Sequence, residues 1–433
     1  MVHRLNTSDA GFKAAFDDLL QIKRETDVDI NDTVNAILET VRDQGDDAIC
    51  DYTRQFDRFQ VTPESLPITA KEVDDAFTEC DGETLDALNL AANRITDFHR
   101  RQRPDDLDFT DEAGVRLGYR WTAVHAAGLY VPGGTASYPS SVLMNALPAK
   151  VAGVKRLVMV VPTPDGQLNP LVLAAARIAG VDEIYRIGGA QAIAALAYGT
   201  KTIRPVDKIV GPGNAYVAAA KRQVFGAVGI DMIAGPSEIL ILADGKTDPA
   251  WVAADLLSQA EHDKAAQSIL ITPDAGFAKS VEVALENHLM TLDRAETARS
   301  SWNDFGAIII VRDLDEAVPL VNRLAPEHLE LSMDNAREMA AKIDNAGAIF
   351  LGHYVPEALG DYLAGPNHVL PTARSARFSS GLGVLDFMKR TSMIECTAEG
   401  LNVIGGAAAT LARAEGLDAH ALSIDIRSNR KNG

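Results

Sequence analysis

The sequence predicts an α/β protein built from two doubly wound modules, with a helical N-terminal segment and a small C-terminal appendage. Two observations predict this class. Short apolar strands alternate with helices, and the alternation begins again after a turn-rich break, AGPSE, at residues 234–238. Continuous apolar strands that alternate with helices indicate parallel sheets covered on both faces. A chain of 433 residues is also long enough for two to three domains.

The first part of the chain is predicted to be helical. In NDTVNAILETVRDQGDDAICDY and in DGETLDALNLAANRITDFHRR, apolar residues recur at the spacing of a helix face. Residues 115–131, VRLGYRWTAVHAAGLYV, are richer in β-branched and aromatic residues and are predicted to be strand. A helical segment therefore precedes the first sheet.

Two series of strands and helices follow. The first, from about residue 155, has the predicted strands KRLVMVVPTP, EIYRIG and KIVGPG, each followed by a helix. The second begins at EILILAD and continues through SILITP, GAIIIVRD, LELSM and AGAIFLG. After about residue 382 no further strand is predicted, and IGGAAATLARAEGLDAHALS indicates a helical appendage.

Composition and charge exclude several classes of partner. A formal charge of −19 argues against binding to nucleic acid or to anionic membrane surfaces. No run approaches the roughly 18 apolar residues of a membrane helix, and MVHRLNTSDAGFKAAFDD lacks the apolar stretch of a signal peptide. The cysteines are far apart and form no CxxC pair, which suits a reducing compartment. We therefore expect a soluble, cytoplasmic protein.

Three glycine-rich turns are candidate ligand sites, because open α/β sheets bind ligands at the carboxyl ends of their strands. They are GLYVPGGTASYPSS at residues 128–141, IGGAQA at 187–192 and GPGN at 211–214. GPGN follows a strand and opens a helix, so its N–H groups could hold an anion. None of the three matches G-x-G-x-x-G, and such turns also serve tight geometry alone. The turns by themselves leave both interpretations open.

Histidines with acidic or amide neighbours form a second group of candidates. Asp248 and Pro249 predict a helix start, after which Gln259 and His262 share one face at i, i+3. An amide oxygen and an imidazole suit a zinc-like cation. A histidine near a helix end is also often a charge partner at the surface. The other pairings are Glu327 with His328, Asp361 with His353 and His368, and Glu415 with His420.

Together these loops and pairings resemble the motifs of the histidinol dehydrogenase family. The resemblance runs from about residue 20 to residue 427 and rests on GLYVPGGTASYPSSVLMNALPAKVAGV, YRIGGAQAIAALAYGT, KIVGPGNAYVAAAKRQVFG, IDMIAGPSEIL, DLLSQAEHD, RLAPEHLEL, GPNHVLPT and LARAEGLDAHA. It implies two Rossmann-like modules in an aldehyde-dehydrogenase-like architecture. The implied reaction oxidises L-histidinol through an aldehyde to L-histidine, the last step of histidine biosynthesis, with two NAD reduced.

The resemblance also implies the residues of the site. One zinc ion per subunit would be bound by Gln259, His262, Asp361 and His420. The substrate would contact these ligands together with Ser237, His328 and Glu415. NAD would contact Tyr130, Gln191 and Asn214. Because family members are homodimers, Glu415 and His420 would reach the site of the neighbouring subunit.

We expect four parts in the chain. They are a helical arm at 1–25, a larger α/β domain on the substrate and zinc side at 26–129 plus 237–381, a Rossmann-like domain on the NAD side at 130–236, and a C-terminal dimerisation appendage at 382–433.

The adjacent residues Glu327 and His328 are the catalytic pair in the family. Pro326 biases Ala325 away from the helix, so the chain turns before LELSM and both side chains can reach one pocket. With a reference pKa of about 6.5, His328 would take the alcohol proton. Glu327 would activate the water that hydrates the aldehyde. The cysteines lie away from every glycine-rich turn, which disfavours a thiohemiacetal route.

Three alternatives stay open on the sequence alone. A paralogue could apply the same fold and zinc chemistry to another vicinal or amino alcohol, such as a sulfonated diol. A zinc-dependent hydrolase could use Glu327 to activate water without any nicotinamide, although the turns at 187–192 and 211–214 would then have no ligand. A purely structural dimeric scaffold would leave the polar residues at the strand ends without a role.

Overall fold

The computed structural model describes residues 2–22, 30–133 and 138–428. Within them, the strands form a six-stranded, a five-stranded and a three-stranded sheet. The strands are β1 (His3–Asn6), β2 (Leu107–Thr110), β3 (Val115–Ala123), β4 (Ala126–Tyr130), β5 (Arg156–Val160), β6 (Glu183–Tyr185), β7 (Lys208–Val210), β8 (Gly229–Ile230), β9 (Glu238–Ala243), β10 (Gln267–Thr272), β11 (Ala307–Ile310), β12 (His328–Ser332), β13 (Ala348–Leu351) and β14 (Met388–Cys396).

Helices cover the two larger sheets and form the C-terminal appendage. They are α1 (Phe12–Gln21), α2 (Asn31–Gln44), α3 (Asp46–Asp57), α4 (Ala70–Glu79), α5 (Gly82–Arg100), α6 (Pro139–Ala152), α7 (Pro170–Ala179), α8 (Gly189–Tyr198), α9 (Ala215–Val224), α10 (Pro249–Ala260), α11 (Ala275–Leu289), α12 (Ala295–Phe305), α13 (Leu314–Leu324), α14 (Ala336–Ala340), α15 (Glu357–Tyr362), α16 (Ala398–Ala414) and α17 (Asp418–Asp425). The described helices include none with the length and apolar character needed to cross a membrane.

The five-stranded sheet has the order β6-β5-β4-β7-β8 and is parallel throughout. Successive residues of its central strands enter different hydrophobic clusters, with Leu129 and Met159 in one cluster and Tyr130 and Val158 in the other. Because neighbouring side chains on a strand point to opposite faces, both faces of this sheet are buried. The first predicted α/β module is confirmed.

The six-stranded sheet has the order β1-β11-β10-β9-β12-β13 and is also parallel. Leu240 and Leu329 enter one cluster, and Ile239 and Leu270 enter the opposite one. This confirms the second module, which begins after the predicted break between β8 and β9.

The N-terminal region differs from the sequence-based expectation in two ways. In the segment 1–25, expected to be a helical arm, β1 pairs with β11 at the edge of the six-stranded sheet. Its sequence, HRLN, is too short to show a strand pattern. Helices α2 to α5, expected to belong with residues 237–381, pack instead on the five-stranded sheet: Ile37 of α2 shares a hydrophobic cluster with Ile193 of α8, and Ile95 of α5 shares another with Leu143 of α6. Helical periodicity in the sequence identifies the buried face of a helix but not the sheet that covers this face. The expected boundary between the N-terminal arm and the larger domain, at residues 25–26, lies outside the described residues.

The C-terminal region contains a strand that the sequence did not predict. β14 pairs with β3 along nine antiparallel positions, so the expectation of no strand after residue 382 is wrong. Its side chains are mostly exposed, which removes the apolar signal of a strand. After it, α16 and α17 pack together through Ala409, Ala412 and Ala421. The helices leave Val403 67% and Leu411 65% exposed.

Candidate active site

The turn between α13 and β12 brings two adjacent polar residues into the protein interior. α13 ends at Leu324, and Ala325 adopts a left-handed conformation with φ 46° and ψ 58°. The predicted departure of Ala325 from the helix is therefore present. Glu327 and His328 follow at the start of β12 and are both buried.

Glu238, the first residue of β9, contacts both members of this pair. Its backbone N–H donates to Glu327 Oε2 at 2.9 Å, and its carboxylate Oε2 accepts from the Glu327 backbone N–H at 3.3 Å. The Glu238 carbonyl oxygen lies 2.9 Å from His328 Nδ1. β9 and β12 are neighbouring parallel strands, so their pairing sets this arrangement.

These contacts fix the tautomer of His328. A carbonyl oxygen only accepts hydrogen bonds, so Nδ1 must carry the proton and Nε2 keeps its lone pair. Nε2 is buried, has no hydrogen-bond partner among the described residues, and lies 3.7 Å from Glu357 Oε1. His328 therefore presents a basic nitrogen to the pocket.

The environment shifts the pKa of each residue in a direction that matters for proton transfer. Burial raises the pKa of Glu327 well above its usual range, and the negative charges of Glu238, Asp361 and Glu357 raise it further. Burial lowers the pKa of His328, although Glu357 opposes this shift. His328 is consequently a neutral base at moderately acid pH, whereas Glu327 needs a higher pH to ionise than an exposed glutamate does.

The end of α10 packs against the short helix α15, and this region carries three of the four predicted metal ligands, Gln259, His262 and Asp361. Gln259 is buried, and its Oε1 has no hydrogen-bond partner among the described residues. Ser258, its neighbour, donates to Glu357 Oε2 at 3.1 Å. Ligand atoms of His328, Glu357 and Asp361 all lie within 4.8 Å of one another. His262, one turn beyond Gln259, is close enough to lower the pKa of His328.

Burial raises the pKa values of both nearby acids, Asp361 and Glu357. It raises the pKa of Asp361 to about 6. Burial and the nearby Asp361 together raise the pKa of Glu357 to about 7. Carboxylates crowded in this way are stabilised by a cation, which removes the repulsion between them.

A cavity of about 280 Å³ opens onto the same residues. His328, Asp361 and His368 supply its polar lining, and Phe350 is among its apolar residues. Ser237 precedes β9, is half-buried, and accepts a hydrogen bond from the Gln267 N–H through its carbonyl oxygen. The space is of a size suited to a small polar substrate.

The five-stranded sheet approaches this cavity through α6. Ser141 Oγ lies 3.5 Å from Nε2 of His368, and Asn367 Nδ2 donates to the carbonyl oxygen of Met144 at 2.6 Å. Because α6 follows the carboxyl end of β4, that edge of the five-stranded sheet faces the catalytic pair.

The predicted NAD contacts lie along the carboxyl edge of the five-stranded sheet. The Tyr130 hydroxyl, at the end of β4, accepts from the Gly189 N–H at 3.1 Å, and burial raises the pKa of Tyr130 to about 12. Gln191 Oε1 is buried without a partner among the described residues. Asn214 caps α9 by accepting from two N–H groups of its first turn. Residues 134–137 of the first glycine-rich turn lie outside the described residues.

The GPGN turn depends on its first glycine and on a buried ion pair. Gly211 has φ 111°, and a Cβ there would lie 2.1 Å from the Tyr130 carbonyl oxygen. Lys221 Nζ donates to the Gly211 carbonyl at 3.0 Å and forms an ion pair with Asp231, which accepts from the Gly211 N–H at 2.8 Å. These contacts of Lys221 and Asp231 with the Gly211 backbone hold the turn that leads to Asn214, the N-cap of α9.

The two predicted sites therefore use opposite strand ends. The glycine-rich turns lie at carboxyl ends, as expected for open α/β sheets. Glu327 and His328 instead lie at the amino end of β12, beside the amino end of β9. The rule that ligands bind at the carboxyl ends of strands therefore predicts the position of the glycine-rich turns but not that of Glu327 and His328.

Glu415 and His420 lie apart from the other predicted site residues. Both are exposed at the junction of α16 and α17. Among the described residues, no hydrogen bond or ion pair joins either of them to Gln259, His262 or Asp361. His420 is also not part of the cluster formed by His328, Glu357 and Asp361. Within a single chain, Asp361 lies beside the catalytic His328, whereas Glu415 and His420 do not join them.

Sequence reasoning missed Glu238 and Glu357. Glu357 stands four residues before Asp361, and that i, i+4 spacing on a helix after Pro356 could have indicated a shared face. Glu238 gave no such signal, because only the pairing of β9 with β12 brings it to Glu327.

Known proteins match this chain along nearly its whole length. The sequence model of the histidinol dehydrogenase family matches residues 20–428. A histidinol dehydrogenase of Rhodospirillum rubrum is 67% identical over 428 residues, covering 99% of each chain. That of Brucella abortus is 62% identical over 429 residues, covering 99% of this chain and 100% of the relative. The crystal structure of histidinol dehydrogenase from Elizabethkingia anophelis has a TM-score of 0.95 and 34% identity, over 99% of this chain and 98% of that one. The chain therefore belongs to the histidinol dehydrogenase family and is an oxidoreductase.

Proposed function

We propose that the protein carries out a zinc-dependent, four-electron oxidation of L-histidinol through L-histidinaldehyde to L-histidine, with two NAD reduced. The observation that carries this proposal is a pair of adjacent buried bases beside carboxyl groups that could bind a metal, next to a cavity lined by His328 and Asp361. His328 presents Nε2, Glu327 lies beside it, and ligand atoms of Glu357 and Asp361 lie within 4.8 Å of the His328 ring nitrogen. We place the protein in the cytoplasm, in keeping with a biosynthetic enzyme.

The residues present fit a zinc ion. Gln259 Oε1 is a buried acceptor without a partner among the described residues, and the partly buried carboxylate of Asp361 lies 3.7 Å from Nδ1 of His368. Oxygen and imidazole nitrogen are ordinary zinc ligands. Gln259, His262 and Asp361 would hold the ion together with the partner subunit's His420. The chemistry supplied by the bound metal is anchoring of the imidazole and amino nitrogens of the substrate, which orients the alcohol.

His328 is the base of the first oxidation. Nε2 takes the hydroxyl proton while hydride leaves the adjacent carbon for NAD. The bond from Nδ1 to the Glu238 carbonyl holds the ring in the tautomer that this role requires. Nearby Glu357 stabilises the imidazolium that forms, because an opposite charge at 3.7 Å favours the protonated ring.

Glu327 is the base of the second oxidation. As a carboxylate it takes a proton from the water that adds to the aldehyde, while His328 returns its proton to the aldehyde oxygen. His328 then takes a proton from the hydrate as hydride leaves the same carbon for the second NAD. A covalent sulfur route has little support. Cys50 and Cys80 lie on α3 and at the end of α4, and burial raises the pKa of both thiols. Cys396 ends β14, outside the catalytic cluster.

NAD would bind along the carboxyl edge of the five-stranded sheet. Tyr130, Gln191 and Asn214 offer a hydroxyl, an amide and a helix N-terminus there. α6 connects this edge to His368, which lines the same cavity as His328.

The complete site would require a homodimer. Glu415 and His420 are exposed and unconnected to the other ligands in one chain, and the same helices expose Val403 and Leu411. Exposed apolar side chains that cluster on one element mark an interface. We propose that Glu415 and His420 enter the neighbouring subunit's site and contact its substrate along with Ser237.

The test counts NADH formed per L-histidinol consumed by zinc-loaded protein in excess NAD. Two NADH are expected. One would mean that the aldehyde escapes before the second step. No NADH with L-histidinol, but NADH with another vicinal or amino alcohol, would replace the proposal with a paralogous activity, and hydrolysis without any NADH would indicate a zinc hydrolase.

A further inference from the structure

Glu238 forms hydrogen bonds to both members of the catalytic pair and to a third segment of the chain at Ala373. It is 6% exposed, and both carboxylate oxygens accept backbone N–H groups. Oε2 accepts from Glu327 at 3.3 Å, and Oε1 accepts from Ala373 at 3.0 Å. Its own N–H donates to Glu327 Oε2, so the two glutamates hold each other reciprocally.

The Ala373 contact ties down a strained turn. Ala373 and Arg374 have φ values of 50° and 62°, in the left-handed region that non-glycine residues rarely adopt. A Cβ on Gly347 would lie 2.5 Å from the Glu327 carbonyl oxygen. The backbone of Glu327 is thus closely packed, and the Glu238 carboxylate joins its N–H to the strained turn.

The two catalytic residues depend on different parts of Glu238. Glu327 is held by the side chain and the N–H of Glu238. His328 is held by the Glu238 carbonyl oxygen, which any substitution of the side chain retains. A change confined to the carboxylate should therefore displace Glu327 while leaving the tautomer of His328 unchanged.

We propose that Glu238 is a positioning residue for the aldehyde-oxidising step, acting through Glu327. This inference rests on the proposed function and on the separate roles of the two bases. A displacement of about 1 Å can cost on the order of 100-fold in rate. The effect should fall on oxidation of L-histidinaldehyde and much less on oxidation of L-histidinol.

The test measures both oxidations separately on Glu238→Gln and Glu238→Asp. The first keeps the shape but places an amide NH2 against backbone N–H donors. The second keeps the charge but shortens the reach by one methylene. The control is Thr372→Val, which removes the neighbouring Gly235 N–H to Thr372 Oγ1 bond of 2.6 Å without touching the carboxylate. NAD and zinc binding are measured on each variant.

In both Glu238 variants, the rate of aldehyde oxidation is expected to fall by on the order of 10-fold or more beyond any fall in the rate of alcohol oxidation. In Thr372→Val, the ratio of these two rates should stay at the wild-type value. An equal loss of both oxidations would overturn the inference, as would failure of both variants to fold, because either shows a structural role only. Wild-type protein that does not oxidise L-histidinol would refute the proposed function instead.

Discussion

Replacing His328 by asparagine tests the base of the first oxidation. The asparagine amide nitrogen can still donate to the Glu238 carbonyl, now 2.9 Å from Nδ1, so the start of β12 should keep its place. What disappears is Nε2 and its lone pair. Loss of a general base costs about 10²–10⁴ in rate, or about 3–5 kcal/mol of activation free energy. Both oxidations should fall in this range, because His328 takes a proton in each.

The assay follows NADH from L-histidinol and from L-histidinaldehyde separately, together with zinc and NAD binding, which should be unchanged. The matched control is His353→Asn. His353 is the histidine after β13 that contacts Thr247 and Asp334 at the opposite edge of the same sheet. The control should keep both rates. If His328→Asn retained more than about one tenth of either rate, the role of Nε2 as base would be refuted.

Three further predictions follow from the same geometry. Gln259→Leu should lower the zinc bound per subunit without lowering the Tm of the zinc-free protein, because it removes a buried oxygen that has no partner among the described residues; metal analysis and calorimetry check both. As pH falls, aldehyde oxidation should be lost before alcohol oxidation. Aldehyde oxidation requires ionised Glu327, whose pKa is raised, whereas alcohol oxidation requires neutral His328, whose pKa is lowered. Coinciding pH–rate profiles for the two oxidations would contradict this prediction. Leu411→Glu should dissociate the proposed dimer and abolish activity, whereas Val283→Glu, at an exposed position on α11, should do neither in sedimentation and rate measurements.

Local patterns in the sequence were sufficient to predict the main sheets. Strands such as EILILA are buried on both faces, so their residues are apolar without interruption and the pattern is plain. The departure of the chain from the helix at Ala325 also follows from a local rule of proline geometry. These features depend on residues close together in the chain.

The features that sequence reasoning missed depend on distant contacts. β14 is exposed along most of its length and exists because β3 pairs with it. Helices α2 to α5 have a clear apolar face, yet either sheet could have covered it. Glu238 reaches Glu327 only because β9 and β12 are neighbours, and β10 and β11 separate them in sequence. The amino-end position of the catalytic pair is likewise a property of the assembled sheet.

The division of labour between two adjacent bases is the central claim, and Glu327→Gln tests it most directly. The glutamine oxygen can keep the hydrogen bond from the Glu238 N–H, which is 2.9 Å long with Glu327 in place, so only the basic carboxylate is lost. The measurement is the number of NADH formed per L-histidinol consumed, with the aldehyde quantified in parallel. The account predicts a value near one with accumulation of L-histidinaldehyde. A value that stays near two, or loss of the first oxidation as severe as loss of the second, would contradict it.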